Sequence, residues 1–154
     1  LNRTIEQART EMSRQIRAEY NLTASYVRER LAIRKAWASA GQFSLSAELR
    51  GGDGKRRSAN VVAFGARQVP GGVSVVIRKR NRKVIKGAFI GNKGRTVFKR
   101  DGAARLPISP VQTIDVAQMF NTRRINAAVQ AAMHAKFPAI FQRELAFAMS
   151  RLNR

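Results

Sequence analysis

In 154 residues the chain carries thirty Lys and Arg against nine Asp and Glu, a formal net charge of +21, while its 44% hydrophobic and 25% charged content is that of a globular protein. Disordered and collagen-like chains are thereby excluded, the absence of cysteine excludes a disulfide framework and a thiolate zinc site, and no stretch approaches the roughly 18 apolar residues of a membrane span. Self-repulsion on this scale destabilises a lone compact state, so a negatively charged partner is expected to offset it. The chain opens at Leu1 rather than Met, which suggests a preceding segment, and no charged n-region with an apolar h-region opens it. The expected fold is a single α+β domain over 1–154: helical over 1–32, an antiparallel β-sheet of about 4–5 strands with basic loops over 33–107, and helical over 108–154.

Ile5, Ala8, Met12 and Ile16 recur at spacings of three and four, which predicts an amphipathic helix at the start. "NLT" breaks it, and Thr23 or Ser25 is placed to cap a second, shorter helix through "ASYVRERLA". From Ile33 the period becomes two. "FSLSAEL" predicts a half-buried strand with Phe43, Leu45, Ala47 and Leu49 inward and Ser44, Ser46 and Glu48 outward. "RGGDGKRRSAN" (50–60) is a glycine-dense, basic connector. Three further strand segments follow, "NVVAFGA", "GVSVVIRK", and the pair "KGAFIG" and "RTVFKR" joined across Asn92, Lys93 and Gly94 in a hairpin. The two prolines of "RLPISPVQ" predict the end of the sheet. After a short helical turn at "DVAQMF", one apolar stripe (Ile125, Ala128, Val129, Ala132, Met133, Phe137, Ile140, Phe141, Leu145, Ala148, Met149) predicts a long helix, with Pro138 either kinking it or opening a second one.

The charge is unevenly distributed: residues 1–49 carry +3, residues 50–107 carry +14 and residues 108–154 carry +4. A strand sends consecutive charges to both faces, so "RKRNRK" is expected as a turn protruding after Ile77. The candidate residues for binding DNA or an acidic partner are Lys55, Arg56, Arg57, Arg78, Lys79, Arg80, Arg82, Lys83, Lys86, Lys93, Arg95, Lys99 and Arg100. No recognition helix or exposed stacking platform accompanies them: Phe64, Phe89 and Phe98 lie among Val, Ile and Ala and are expected in the core, so contact with nucleic acid is expected to be sequence-blind. Trp37 and Tyr20 are isolated, and packing accounts for them.

Candidates for catalysis are few. The single His134 has no ligand partner at metal-binding spacing and reads as a helix histidine. "GAFIGNKGR" departs from the phosphate-loop pattern at Asn92 and reads as hairpin glycines. Asp53 and Asp101 would be the metal pair of a nuclease, yet both sit in Gly-flanked turns where Asp is favoured for local hydrogen bonding. No metal or cofactor is expected, nor an enzymatic activity.

Six blocks in order carry a resemblance: "FGARQ" (Phe64 to Gln68), "GVSV" (Gly72 to Val75), "KGAFI" (Lys86 to Ile90), "RLPI" (Arg105 to Ile108), "VAQMF" (Val116 to Phe120) and "FQREL" (Phe141 to Leu145). Together, over about residues 2–150, the chain resembles the prophage minor tail protein Z family of tailed bacteriophages. It departs from the family in "SPVQTIDVAQMF", which lacks a glycine and has Ala117 in place of a proline, so the local turn is expected to differ. The resemblance implies a non-enzymatic virion protein of tail completion and the head-tail junction, assembled in the host cytoplasm. It further implies a homo-oligomeric ring, six-fold like the tail tube, touching other tail and neck proteins near the path of double-stranded DNA. The competing expectation is a free, sequence-nonspecific nucleic-acid-binding protein working as a monomer or dimer.

Overall fold

Helix α1 (Asn2–Glu19) forms where the apolar spacing predicts it, with Ala8, Met12 and Ile16 buried on one face. The computed structural model describes residues 1–52 and 58–152. Thr23 caps α2 (Ala24–Glu29), its side chain accepting from the Tyr26 N–H at 3.3 Å. Near the other end of the chain, α3 (Val116–Phe120) is closed by a capping box in which the Gln118 side chain accepts from the Asp115 N–H at 3.0 Å. α4 (Arg123–Leu152) then runs antiparallel to α1, and ion pairs join both ends of the two helices: Arg3 to Glu144 at 2.8 Å and Arg124 to Glu19 at 2.6 Å.

Among the described residues the strands are all antiparallel, as expected, but they divide into five small sheets. β1 (Leu31–Arg34) pairs β4 (Glu48–Gly51), and β2 (Trp37–Ser39) pairs β3 (Gln42–Ser44). β5 (Ala59–Asn60) pairs β12 (Gln112–Thr113). β6 (Arg67–Val69), β7 (Gly72–Val76) and β8 (Arg82–Lys86) form one three-stranded sheet in that order. β9 (Ala88–Gly91), β10 (Thr96–Arg100) and β11 (Ile108–Pro110) form another with β10 central. One core joins helices to sheets: Met12 and Ile16 of α1, Val27, Leu31, Val61, Phe64, Val73, Val75, Val97, Val116 and Met119 belong to a single buried cluster.

Several local expectations change. The strand over 43–49 does not form as one piece, because Ala40 (φ 46°) and Gly41 (φ 81°) close a two-residue hairpin between β2 and β3. Phe43 and Leu45 are exposed there, and only Leu49 packs against the core. "NVVAFGA" begins as β5 and continues as a 3-10 helix (Val61–Phe64), in which the buried Val61 and Phe64 stand three apart, the repeat of that helix; Asn60 caps it and Gly65 ends it at φ 70°. Arg82 and Lys83, expected in the protruding turn, instead open β8, an edge strand, where charge is tolerated and guards against further pairing. The prolines of "RLPISPVQ" do not end the sheet, since Pro110 lies on edge strand β11, where a missing donor costs no central ladder bond. Pro138 lies within one continuous 30-residue helix and opens no second one. The α4 stripe is buried only at Ile125, Val129 and Ile140, while Phe141, Leu145 and Met149 are exposed where α1 runs out.

Candidate polyanion interface

β7 ends at Val76, and the chain turns through Arg78, Lys79, Arg80 and Asn81 into β8, so the basic turn follows Ile77 as the sequence predicts but is shorter than "RKRNRK", with Arg82 and Lys83 already in β8. Its base is fixed to the end of α1: Tyr20 bridges Arg78, the Lys79 N–H donates to the Glu19 carbonyl at 2.9 Å, and the Asn21 N–H donates to the Ile77 carbonyl at 3.0 Å. Arg80 takes a left-handed conformation (φ 68°), which sequence reasoning missed because Arg is seldom placed there. Arg78 and Lys83 converge on a concavity of about 230 Å³ that Val75, Ile77, Thr113 and Ile114 also line.

The other candidates form two further groups. Lys99 pairs opposite Ala88, two residues beyond Lys86, so Lys86, Lys99 and Arg100 gather at the junction of β8 and β9. The Arg100 guanidinium lies 5.3 Å from the centre of the Phe89 ring. Lys93, in the turn between β9 and β10, adopts φ 53° beside Asn92 (φ 51°) and Gly94 (φ 83°), and Gly91 stays within its strand. Arg95 follows this turn and lines a second concavity of about 230 Å³ with Tyr26, Arg30 and Ser58. All ten described candidates are exposed. Lys55, Arg56 and Arg57 lie outside the described residues, as does Asp53 of the metal pair considered from sequence. Asp101 accepts from the Ser109 hydroxyl at 2.5 Å, and among the described residues no group of three His, Asp or Glu is placed to hold a metal ion.

Electrostatic pairing separates the two halves of the molecule. Away from the basic hairpins, Glu6 pairs with Arg9 and Lys35, Glu11 with Arg14, Glu19 with Arg124, Glu144 with Arg3 and, on β4, Glu48 with Arg50. The Arg14 guanidinium holds the Glu11 carboxyl below the usual carboxylate range, overcoming the burial that opposes it. Buried Asp115 receives the Arg30 guanidinium at 3.7 Å, with that guanidinium carbon 3.5 Å from the centre of the Tyr26 ring. Sequence reading overlooked this pair, although Asp immediately before "VAQMF" is the signature of a helix cap. On the basic hairpins, by contrast, Arg78 alone among the described candidates reaches a carboxylate, Glu19 at 3.9 Å. Among the described residues, the other candidate cations of β7–β8 and β9–β10 reach no carboxylate. Phe64 is fully buried in the core, as expected, whereas Phe89 and Phe98, expected there too, are half-buried against each other outside the core cluster, because they pair across β9 and β10 on the basic sheet.

The model of the prophage minor tail protein Z (GPZ) family matches residues 1–154, the whole chain, and the chain belongs to that family. No curated protein and no solved structure matches it. Its role is accordingly that of a phage minor tail protein, a structural component of the virion tail.

Proposed function

We propose that this tail protein completes the tail and joins it to the head, its copies forming a six-fold ring in keeping with the tail tube, whose basic hairpins face the DNA channel or an acidic neck component. The observation that carries the reading is how little of the basic surface is paired: Arg3, Arg9, Arg14 and Arg124 on the helices each reach a carboxylate, whereas Lys79, Arg80, Arg82, Lys83, Lys86, Lys93, Arg95, Lys99 and Arg100 reach none among the described residues. Gathering such subunits raises their mutual repulsion, and only a polyanion or counter-ions relieve it. Lys55, Arg56 and Arg57 belong to the same proposed surface. The protein acts there by binding and positioning, with no chemical step and no cofactor.

Duplex DNA titrated against the protein at rising salt tests this. The logarithm of the binding constant is expected to fall linearly with the logarithm of salt, and replacing Lys79, Arg82 and Lys83 with Gln is expected to reduce the slope by about 0.9 for each phosphate contact removed. Binding indifferent to salt would reject the reading. The same surface would also suit a sequence-nonspecific nucleic-acid-binding protein acting as a free monomer or dimer, and light scattering on the DNA complex separates the two by subunit number.

A further inference from the structure

In a chain where basic residues are so frequent, the longest run without a charged side chain is the twelve residues 36–47, "AWASAGQFSLSA". The structure makes this run an arm. β2 and β3 pair only with each other among the described strands, and every residue from Trp37 to Phe43 is exposed. Its root is fixed: the Asn2 side chain donates to the Ala36 carbonyl at 2.9 Å and accepts from the Ala36 N–H at 2.8 Å. Beyond that root, Trp37 is 47% exposed, Phe43 68% and Leu45 73%, a degree of apolar exposure that a lone two-stranded hairpin has no means to stabilise in water.

The next longest uncharged run, the eleven residues 125–135 with His134 neutral, forms one wall of a groove. This groove, about 520 Å³ between α1 and α4, is lined by Ala8, Met12, Leu49, Val129, Met133 and Phe137 among others, and no Lys, Arg, Asp or Glu lines it. Toward the end of α4 it continues into exposed Phe141, whose ring centre is 5.7 Å from that of Phe137.

We infer that the arm of one copy seats in the groove of a second copy of this chain. The inference rests on the proposed reading only in taking the protein to self-associate. Its warrant is electrostatic: copies bearing +21 repel wherever basic surfaces meet, and like charges placed opposite one another at an interface are strongly disfavoured, so contact is cheapest between surfaces that carry no charge. An acidic partner has no reason to choose them, since the hairpins of β7–β8 and β9–β10 attract it instead. A projecting element and a concave one at different places on the same chain make a head-to-tail contact, which generates a ring when the rotation closes. It also leaves the basic hairpins uncovered by the contact.

The chain has no cysteine, so paired cysteines report the contact without background. In the double variant Phe43→Cys, Gln130→Cys, mild oxidation is expected to give a ladder of trimers and larger species on a non-reducing gel, while each single variant stays monomeric. Both positions are exposed, so neither change threatens the fold. A double variant that stays monomeric overturns the inference, as does one that closes within a single chain. Dimers of Phe43→Cys alone, the mark of a like-to-like arm contact, overturn it as well. Independently, Phe43→Asp is expected to reduce the assembly to monomers by light scattering, and retention of the unmodified protein's mass would contradict the inference. The salt slope on DNA reads the basic surface separately: if the slope persists without a ladder, the arm is wrong and the basic reading stands, whereas a ladder without a slope supports the arm alone.

Discussion

Asn60 fills with one side chain a gap that no strand covers. Its Oδ1 accepts from the Val97 N–H at 2.9 Å and from the Val62 N–H at 3.1 Å, just where edge strand β11 ends at Pro110. Asn60→Ala leaves the N–H of fully buried Val97 without that acceptor, and a loss of about 1–3 kcal/mol is expected in urea denaturation. An unchanged midpoint would show that the side chain carries no such burden. Arg80 gives the opposite case. Its left-handed backbone is strained for a side chain with a Cβ, so Arg80→Gly is expected to raise stability by about 0.5–1 kcal/mol while reducing DNA affinity. At Glu11 the sign follows from the direction of the shift. A carboxyl whose pKa is lowered on folding contributes stability that is complete above the ordinary carboxylate range and is lost as pH falls through the folded value. The melting-temperature gap between the wild type and Glu11→Gln is therefore expected to close as pH drops from 7 toward 3, and a gap independent of pH would contradict this. Little at this scale was legible beforehand: "SAN" reads as a connector, and only the fold brings Val97 to Asn60.

Among the elements, the helices were the readable part because the apolar repeat of α1 and α4 is long and both are caught against one core. What the repeat does not encode is where the partner stops. On α4, Ile140 is buried at 6% while Leu145 of the same stripe is exposed at 48%, as is off-stripe Phe147 at 61%, though all three look equally apolar in sequence. Ile140→Ala is expected to cost about 2–5 kcal/mol. Phe147→Ala is expected to stay within about 0.5 kcal/mol of wild type. Equal effects in denaturant would show that the end of α4 is packed within the monomer. The sheets were less legible, since strands of two to five residues carry too few alternations to set a period, and β8 conceals its pairing beneath charge. Gly72 shows what holds β8: a Cβ there would lie 2.2 Å from the Ile85 carbonyl oxygen. The segment "GVSVVIRK" reads as a strand, but the close approach at Gly72 follows from the register that sets Val73 opposite Ile85.

For the molecule as a whole, charge sorts the architecture into two faces with different tasks. Glu6, Glu11, Glu19 and Glu144 of the helices pair with nearby Arg and Lys, Glu19 also reaching Arg78 of the basic turn, and the proposed arm and groove offer an uncharged approach for other copies. The basic residues of 50–107 are shared between strands and turns, and of the described candidates among them Arg78 alone reaches a carboxylate. That imbalance was visible in the sequence, and so was the protruding turn; the division of the candidates into three groups was not, because it depends on how β8 leads into β9. The central claim is that these cations exist for an anion supplied by the assembled tail. An image of the intact neck, with this chain placed in density, tests it most directly. The account predicts the turn at Arg78 to Asn81 and the turn at Asn92 to Arg95 facing the path of the DNA or an acidic neighbour; both turns pointing into open solvent, away from either, would contradict it.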